Sequence, residues 1–205
     1  MPNAEIELKF PIADLEALQS RLPKLGFRLD TPRTFEHNTL YDTPQRDLRN
    51  RQQLLRLRQY GDICTITHKR HPDHEDPIET QRFKIRIETE TTVDDRDAIA
   101  EIFLQLGYTP AFVYEKFRSE WSQPLPGSDA ARAHLVIDET PIGNYAELEG
   151  PAAWIDATLE SLGIHPSLCL TESYGKLFLA WKQQTGDPAE HLTFATVSTP
   201  QLASR

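Results

Sequence analysis

Polar and apolar side chains alternate through much of this chain. Residues 4–10, Ala-Glu-Ile-Glu-Leu-Lys-Phe, repeat with the two-residue period of a strand that has one apolar face. The pattern returns at 34–42, 52–60, 62–69, 80–92, 112–122, 133–139 and 144–149, and each run is predicted to be a strand. Gly61-Asp62 separates one pair of runs and Thr140-Pro-Ile-Gly-Asn144 another, both signals for a hairpin. Four other stretches carry apolar residues at helical spacing. The first opens at Pro11, carries Ile12, Leu15, Leu18, Leu22 and Leu25, and stops at Gly26, with Pro23 expected to kink its last turn. The second is capped by Asp94 or Asp95, carries Ile99, Ile102, Phe103 and Leu106, and ends at Gly107. The third runs from Pro151 to near Gly163, and the fourth from near Thr171 through Trp181. His71 to Pro77 reads as a polar loop, with His71 and His74 belonging to that loop rather than to a metal site. Beyond Gly186 the periodicity dissolves, so one domain over 1–185 and a loosely ordered tail over 186–205 are expected.

A local echo accompanies this order. Glu5-Ile-Glu7, Glu88-Thr-Glu90 and Glu147-Leu-Glu149 each precede a helix that stops at Leu-Gly (Leu25-Gly26, Leu106-Gly107, Leu162-Gly163). Period two puts both carboxylates of each pair on one strand face. Sorting the other strands the same way sets Lys9 with Glu5 and Glu7, and sets Arg56 and Arg58 apart from Leu55 and Leu57. It sets Arg82, Lys84, Arg86, Glu88 and Glu90 apart from Phe83, Ile85 and Ile87, Lys116 and Arg118 apart from Phe117, and Asp138 apart from Ile137. A solvated charged face with helices behind it would explain one such strand. Dense charge of both signs on nearly every strand suggests instead a sheet closed with its charged faces inward and helices outside. Buried charges are costly without partners. Polyphosphate at the basic groups and a divalent metal at the acidic ones would satisfy both.

Composition narrows the candidates further. The 205 residues include 22 Lys plus Arg and 31 Asp plus Glu, a formal charge of −9. That total argues against a basic exterior for nucleic acid or an anionic membrane, but leaves room for a local basic site. The first residues have neither a basic n-region nor an apolar h-region, so no secretory signal is expected, and no apolar run is long enough to span a bilayer. Cys64 and Cys169 lack metal or redox spacing and are expected to be reduced thiols of a cytoplasmic protein.

Glu5-Ile-Glu7-Leu-Lys9 resembles the Glu-x-Glu-x-Lys signature that opens the CYTH superfamily, the triphosphate tunnel metalloenzymes. In order follow Tyr41-Asp-Thr43, Leu55-Arg-Leu-Arg58, Thr67-His-Lys69, Arg86-Ile-Glu-Thr-Glu90, Glu115-Lys-Phe-Arg118, Ile137-Asp-Glu139, Gly143-Asn-Tyr-Ala-Glu-Leu-Glu149 and Glu172-Ser-Tyr174. The ordered set extends over about residues 4–182. The resemblance implies an α+β fold, a closed antiparallel eight-stranded barrel forming a tunnel with helices packed outside, and a small-molecule triphosphate substrate. By the same resemblance, Glu5, Glu7, Glu88, Glu90, Asp138, Glu147 and Glu149 would hold Mg²⁺ or Mn²⁺, two ions with substrate bound. Lys9, Arg56, Arg58, Lys69, Arg86, Lys116, Arg118 and Lys176 would cradle phosphates. Glu5, Glu7, Lys9 and Lys69 are the expected catalytic residues.

The expected activity is hydrolysis of inorganic triphosphate. The alternative is class IV adenylyl cyclase chemistry, in which ATP yields cyclic AMP and pyrophosphate. Thiamine triphosphate fits less well, because animal thiamine triphosphatases have Tyr-Tyr-Asp-Thr where this chain has Leu40-Tyr-Asp-Thr43. A monomer or a homodimer is compatible with this reading.

Overall fold

A computed structural model describes residues 4–72, 82–125 and 132–197, without the side chains of Ala4, Glu5 and Arg132. Residues 73–77 of the polar loop, with His74, and residues 198–205 of the expected tail lie outside that set. Eight antiparallel strands form a closed barrel. They are β1 (Ala4–Pro11), β2 (Arg28–Asp42), β3 (Leu54–Tyr60), β4 (Ile63–Arg70), β5 (Lys84–Thr92), β6 (Thr109–Pro124), β7 (Arg132–Thr140) and β8 (Gly143–Glu149). Around the barrel they run β1-β5-β4-β3-β2-β6-β7-β8, and β1 closes the ring by pairing with both β5 and β8. Closure removes every sheet edge, so all eight strands have a partner on each side.

The long pair β2–β6 exceeds the predicted runs at 34–42 and 112–122. The added residues lack clean alternation, and Pro32 cannot donate to a ladder. Register shifts between Thr31 and Thr34 and between Leu40 and Tyr41 absorb the mismatch. At the start of the chain, Pro11 finishes β1 instead of opening a helix. Asp14 caps α1 (Leu15–Arg21) through the Ala17 N–H, and Pro23 turns the remainder into a short 3₁₀ segment, Pro23–Leu25.

A four-residue turn of helix, α2 (Asp47–Asn50), follows β2, with the Asp42 carboxylate accepting from the Leu48 and Arg49 N–H groups. Asp95 is the cap of α3 (Arg96–Gln105). Pro151 precedes α4 (Ala152–Leu162), and Ser173 caps α5 (Tyr174–Thr185), which extends one turn past the predicted end. Gly26, Gly107 and Gly163, the three Leu-Gly stops, take φ of +85°, +86° and +67°, a conformation that a side chain disfavours. The repeated strand, helix and stop is therefore real local structure.

The apolar core lies outside the barrel. Leu8, Phe10, Leu135, Ile137 and Leu148 point outward against Leu18 and Leu22 of the α1 region and Ile155, Leu159 and Leu162 of α4. Leu57 and Cys64 face Phe103 of α3. Each such aliphatic side chain contributes roughly 1.5–3 kcal/mol on full burial, enough to hold the helices over the barrel and leave its interior to polar groups.

Residues 187–197 differ from the expected loose tail. Leu192 is fully buried and joins Phe178 of α5, Ala189 and Val197 in one cluster with Tyr114. Its backbone exchanges hydrogen bonds with β6, Leu192 N–H to Val113 O at 3.0 Å and Glu115 N–H to Leu192 O at 2.8 Å. Among the described residues, no helix is long and apolar enough to cross a membrane.

Candidate active site

The pleat sends one side chain of every two into the barrel, so the apolar exterior dictates a polar interior. A cavity of about 490 Å³ runs through it, within the usual ligand-site range. Its cationic wall is Lys9 from β1, Arg56 and Arg58 from β3, Lys69 from β4, Lys84 from β5, and Lys116 and Arg118 from β6. Its anionic wall is Glu7, Glu88, Glu90, Glu120, Glu147 and Glu149, with His134 beside them. Ser173, Tyr174 and Gly175 at the start of α5 complete the lining next to Leu40 and Phe112.

Cation and carboxylate are matched nearly one to one. Lys9 Nζ lies 2.8 Å from Glu147 Oε1, donates to Glu172 O at 3.2 Å and stands 3.9 Å from the centre of the Tyr174 ring. Lys69 meets Glu88 at 2.7 Å, and Lys84 is ion-paired with Glu7. Arg56 donates to Thr67 Oγ1 at 3.0 Å and to Glu90 Oε2 at 3.3 Å, and Thr67 donates to the same carboxylate at 2.5 Å. Arg118 Nη2 reaches Glu147 Oε2 at 2.7 Å.

Behind this wall lie two carboxylates with no exposed surface, Glu36 and Asp138. Asp138 accepts from Lys116 Nζ at 2.9 Å, from Arg118 Nε and Nη2 at 2.7 and 2.6 Å, and from the Tyr174 hydroxyl at 2.6 Å. Glu36 accepts from Arg58 Nη2 and Asn38 Nδ2 at 2.7 and 2.8 Å, with Lys116 Nζ 3.4 Å and Arg118 Nε 3.8 Å away.

Burial alone would raise the carboxyl pKa of Glu36 and Glu147. The lysines and arginines around each outweigh it and hold both well below the ordinary carboxylate value. Burial, then the charges of Asp138 and Glu147, push the Tyr174 hydroxyl well above its ordinary value, so it remains a donor. Buried ion pairs add little net stability, whereas perturbed ionisable groups concentrated in one cavity mark a functional site.

Most residues singled out in the sequence meet here. Glu7, Lys9, Arg56, Arg58, Lys69, Glu88, Glu90, Lys116, Arg118, Glu147 and Glu149 all line the cavity. Asp138 shares their face but is roofed by the three donors it holds, so it underlies the wall. Arg86 sits opposite Glu5 in the β1–β5 register, yet its guanidinium turns to His71 Nδ1 at 3.0 Å and to Ile85 O at 2.9 Å. Lys176 is exposed on α5 and does not line the cavity. The Glu5 side chain lies outside the described residues.

Sequence reasoning put Lys84 on the charged face without assigning it to the site, and missed Glu120, His134 and the buried Glu36. Lys84 shares the period-two face of Glu88, and Glu36 alternates with Phe35 and His37, so the signal was parity in both cases.

The donor chemistry suits a hard divalent cation. Glu7 is the cross-strand neighbour of Glu149, and Glu147 lies two residues away on the same face. Like charges facing each other across a ladder repel, and a cation relieves them. Here Lys84 supplies that charge to Glu7. Among the described residues no three Asp, Glu, His or Cys side chains converge closely enough to hold an ion by themselves.

The CYTH domain family model matches residues 3–160. A candidate adenylate cyclase of Methanocaldococcus jannaschii is 27% identical over 145 residues, covering 71% of this chain and 75% of that protein. A candidate adenylate cyclase from Vibrio parahaemolyticus shares the fold with a TM-score of 0.67 at 18% identity, over 87% of this chain and 99% of that one. A candidate adenylyl cyclase from Hippeastrum, described as having a dominant triphosphatase activity, superposes with a TM-score of 0.58 at 16% identity, over 87% and 95% of the two chains. With the matched span, the closed barrel and its charged interior in agreement, the chain belongs to the CYTH family.

Proposed function

We propose that this chain is a metal-dependent triphosphatase whose principal substrate is inorganic triphosphate, taken up in the barrel cavity. The observation that carries this reading is the inward ladder of lysines and arginines, drawn from β1, β3, β4, β5 and β6 and held by displaceable carboxylates. Glu88, Glu90 and Glu147 occupy positions on those cations that phosphate oxygens would take. Arg56, Arg58 and Arg118 offer delocalised guanidinium charge to phosphate oxygens, and Lys9, Lys69 and Lys116 offer point charges. Lys9 and Lys69 would neutralise charge on the pyrophosphate as it leaves. Arg86 and Lys176 have no part in this scheme, and Asp138 would orient Lys116 and Arg118 rather than bind metal.

Mg²⁺ or Mn²⁺ would be held by Glu7, Glu147 and Glu149 with Glu5, and by Glu88 and Glu90 directly or through water. Such an ion supplies phosphate charge neutralisation and an activated water.

A second reading is cyclisation of ATP. It is favoured by the name of the Methanocaldococcus jannaschii relative and by the Leu40, Leu54 and Phe112 surface beside the cationic groups, which would accept an organic substituent. In that reaction the ribose 3′-hydroxyl attacks the α-phosphorus and pyrophosphate leaves.

Separate incubations with inorganic triphosphate, ATP and thiamine triphosphate, each with Mg²⁺ or Mn²⁺, followed by ³¹P NMR, distinguish the readings. Orthophosphate plus pyrophosphate from inorganic triphosphate is expected. Cyclic AMP as the main product from ATP would replace this reading with the second. Glu7→Gln should abolish turnover with the fold intact, and full activity in that variant or in excess EDTA would exclude the metal-dependent mechanism.

A further inference from the structure

The carboxylates around the cations fall into two groups. Glu7, Glu88, Glu90 and Glu147 reach the cavity, and an arriving phosphate can displace them. Glu36 does not line the cavity. It has no exposed surface and lies beneath Arg58, Lys116 and Arg118, at 2.7, 3.4 and 3.8 Å. The ladder fixes it there, because Glu36 is opposite Lys116 on β6, and its neighbour two residues on, Asn38, is opposite Arg58 on β3. It is ionised at neutral pH, since the surrounding cations outweigh the effect of burial.

We propose that Glu36 is a fixed counter-charge that limits how tightly the cavity holds phosphate, so that product can leave; this rests on the triphosphatase reading above. Two buried polar atoms beside it have no partner among the described residues. With Arg58 Nη2 committed to Glu36, Arg58 Nε is buried without a partner, and with Asn38 Nδ2 committed to the same carboxylate, Asn38 Oδ1 is buried without one. Arg58 lines the cavity, and Glu36 opposes the charge of any phosphate oxygen there from behind the same guanidinium. A buried carboxylate a few ångströms behind the cations is poorly screened by solvent, so removing its charge strengthens attraction for every phosphate in the cavity. An amide of the same shape keeps an acceptor for Arg58. Glu36→Gln therefore isolates charge from geometry.

The test measures binding of inorganic triphosphate and of pyrophosphate by calorimetry in EDTA at pH 6.5, where no turnover competes. Glu36→Gln should bind both at least tenfold more tightly than the parent chain. In steady state with metal it should show lower KM and lower kcat together, with stronger inhibition by pyrophosphate. Glu36→Met removes the same charge without an amide N–H₂ and should also tighten binding of both ligands about tenfold, so it decides the matter even if Glu36→Gln does not fold. Glu36→Asp retains the charge and should bind like the parent. A folded Glu36→Gln or Glu36→Met that binds triphosphate equally or more weakly overturns the proposal. A parent chain that binds triphosphate tightly but does not hydrolyse it sinks the triphosphatase reading and leaves the role of Glu36 standing.

Discussion

Replacing Asp138 by Asn tests whether the buried charge network organises the cavity. Asp138 has no exposed surface and accepts four hydrogen bonds, at 2.9 Å from Lys116, 2.7 and 2.6 Å from Arg118, and 2.6 Å from Tyr174. Truncating one partner of a buried ion pair typically costs about 3–5 kcal/mol, because the other charge remains buried without compensation. Here the cations keep some cover. Lys116 retains Glu36 at 3.4 Å, and Arg118 retains Glu147 at 2.7 Å. The lower end, about 3 kcal/mol, is therefore expected. For a chain of this size that corresponds to a fall in Tm of roughly 6–12 °C. The amide also turns an N–H₂ toward a cation or toward the Tyr174 hydroxyl, which disturbs the donors that Asp138 holds in place. Thermal and urea unfolding followed by tryptophan fluorescence would read the stability change. Tyr174→Phe removes the hydroxyl alone, and the double variant should show non-additivity of about 0.5–3 kcal/mol, because both changes act on one shared hydrogen bond. A Tm within 2 °C of the parent for Asp138→Asn, or strict additivity in the cycle, would refute the view that Asp138 organises the wall.

Acid should destabilise the fold through Glu36 and Glu147. Both pKa values are depressed below 4.5, so their contribution is complete above that value and is lost as pH falls below it. Glu147→Gln should be less stable than the parent at pH 7 and converge with it toward pH 3, whereas parallel urea-stability curves across that range would contradict the assignment. Leu192→Ala removes a fully buried side chain that pins residues 187–197 to β6 and should cost about 2–5 kcal/mol by denaturant titration, while an unchanged midpoint would mean that the segment is not docked. Lys84→Met releases Glu7 from its ion pair and should let Mn²⁺ bind several-fold more tightly by electron paramagnetic resonance; weaker binding would show that Lys84 does not compete for that carboxylate.

The alternation of Glu5-Ile-Glu7-Leu-Lys9 and Leu55-Arg-Leu-Arg58 was enough to sort these residues by face, because the pleat fixes orientation within a strand regardless of what the strand pairs with. Helix stops were equally local. The helix start at Pro11 was misplaced, because Asp14 supplies the cap and Pro11 completes a pair with Tyr145. Strands β2 and β6 were read too short, because a bulged pair can accommodate Pro32 and Pro110 that a regular pattern would exclude. Residues 187–197 carry no period at all, and their order comes from Leu192 bridging to Tyr114 on a strand some eighty residues earlier.

Two-residue and helical periods thus set the strands, the helices and the charged faces that carry most cavity residues, and the resemblance carried by the ordered motifs implied the closed eight-stranded barrel. Depth and partnership were decided only in three dimensions. Asp138 and Glu36 have the same inward parity as Arg118 and Lys116, yet lie beneath them, because register across β2, β6 and β7 stacks the longer side chains over the carboxylates. Arg86 has the parity of Glu88 but is drawn to His71, and Tyr174 enters the site only because α5 begins at one end of the cavity. Parity is a property of one strand, whereas a site is a property of how eight strands and a helix meet.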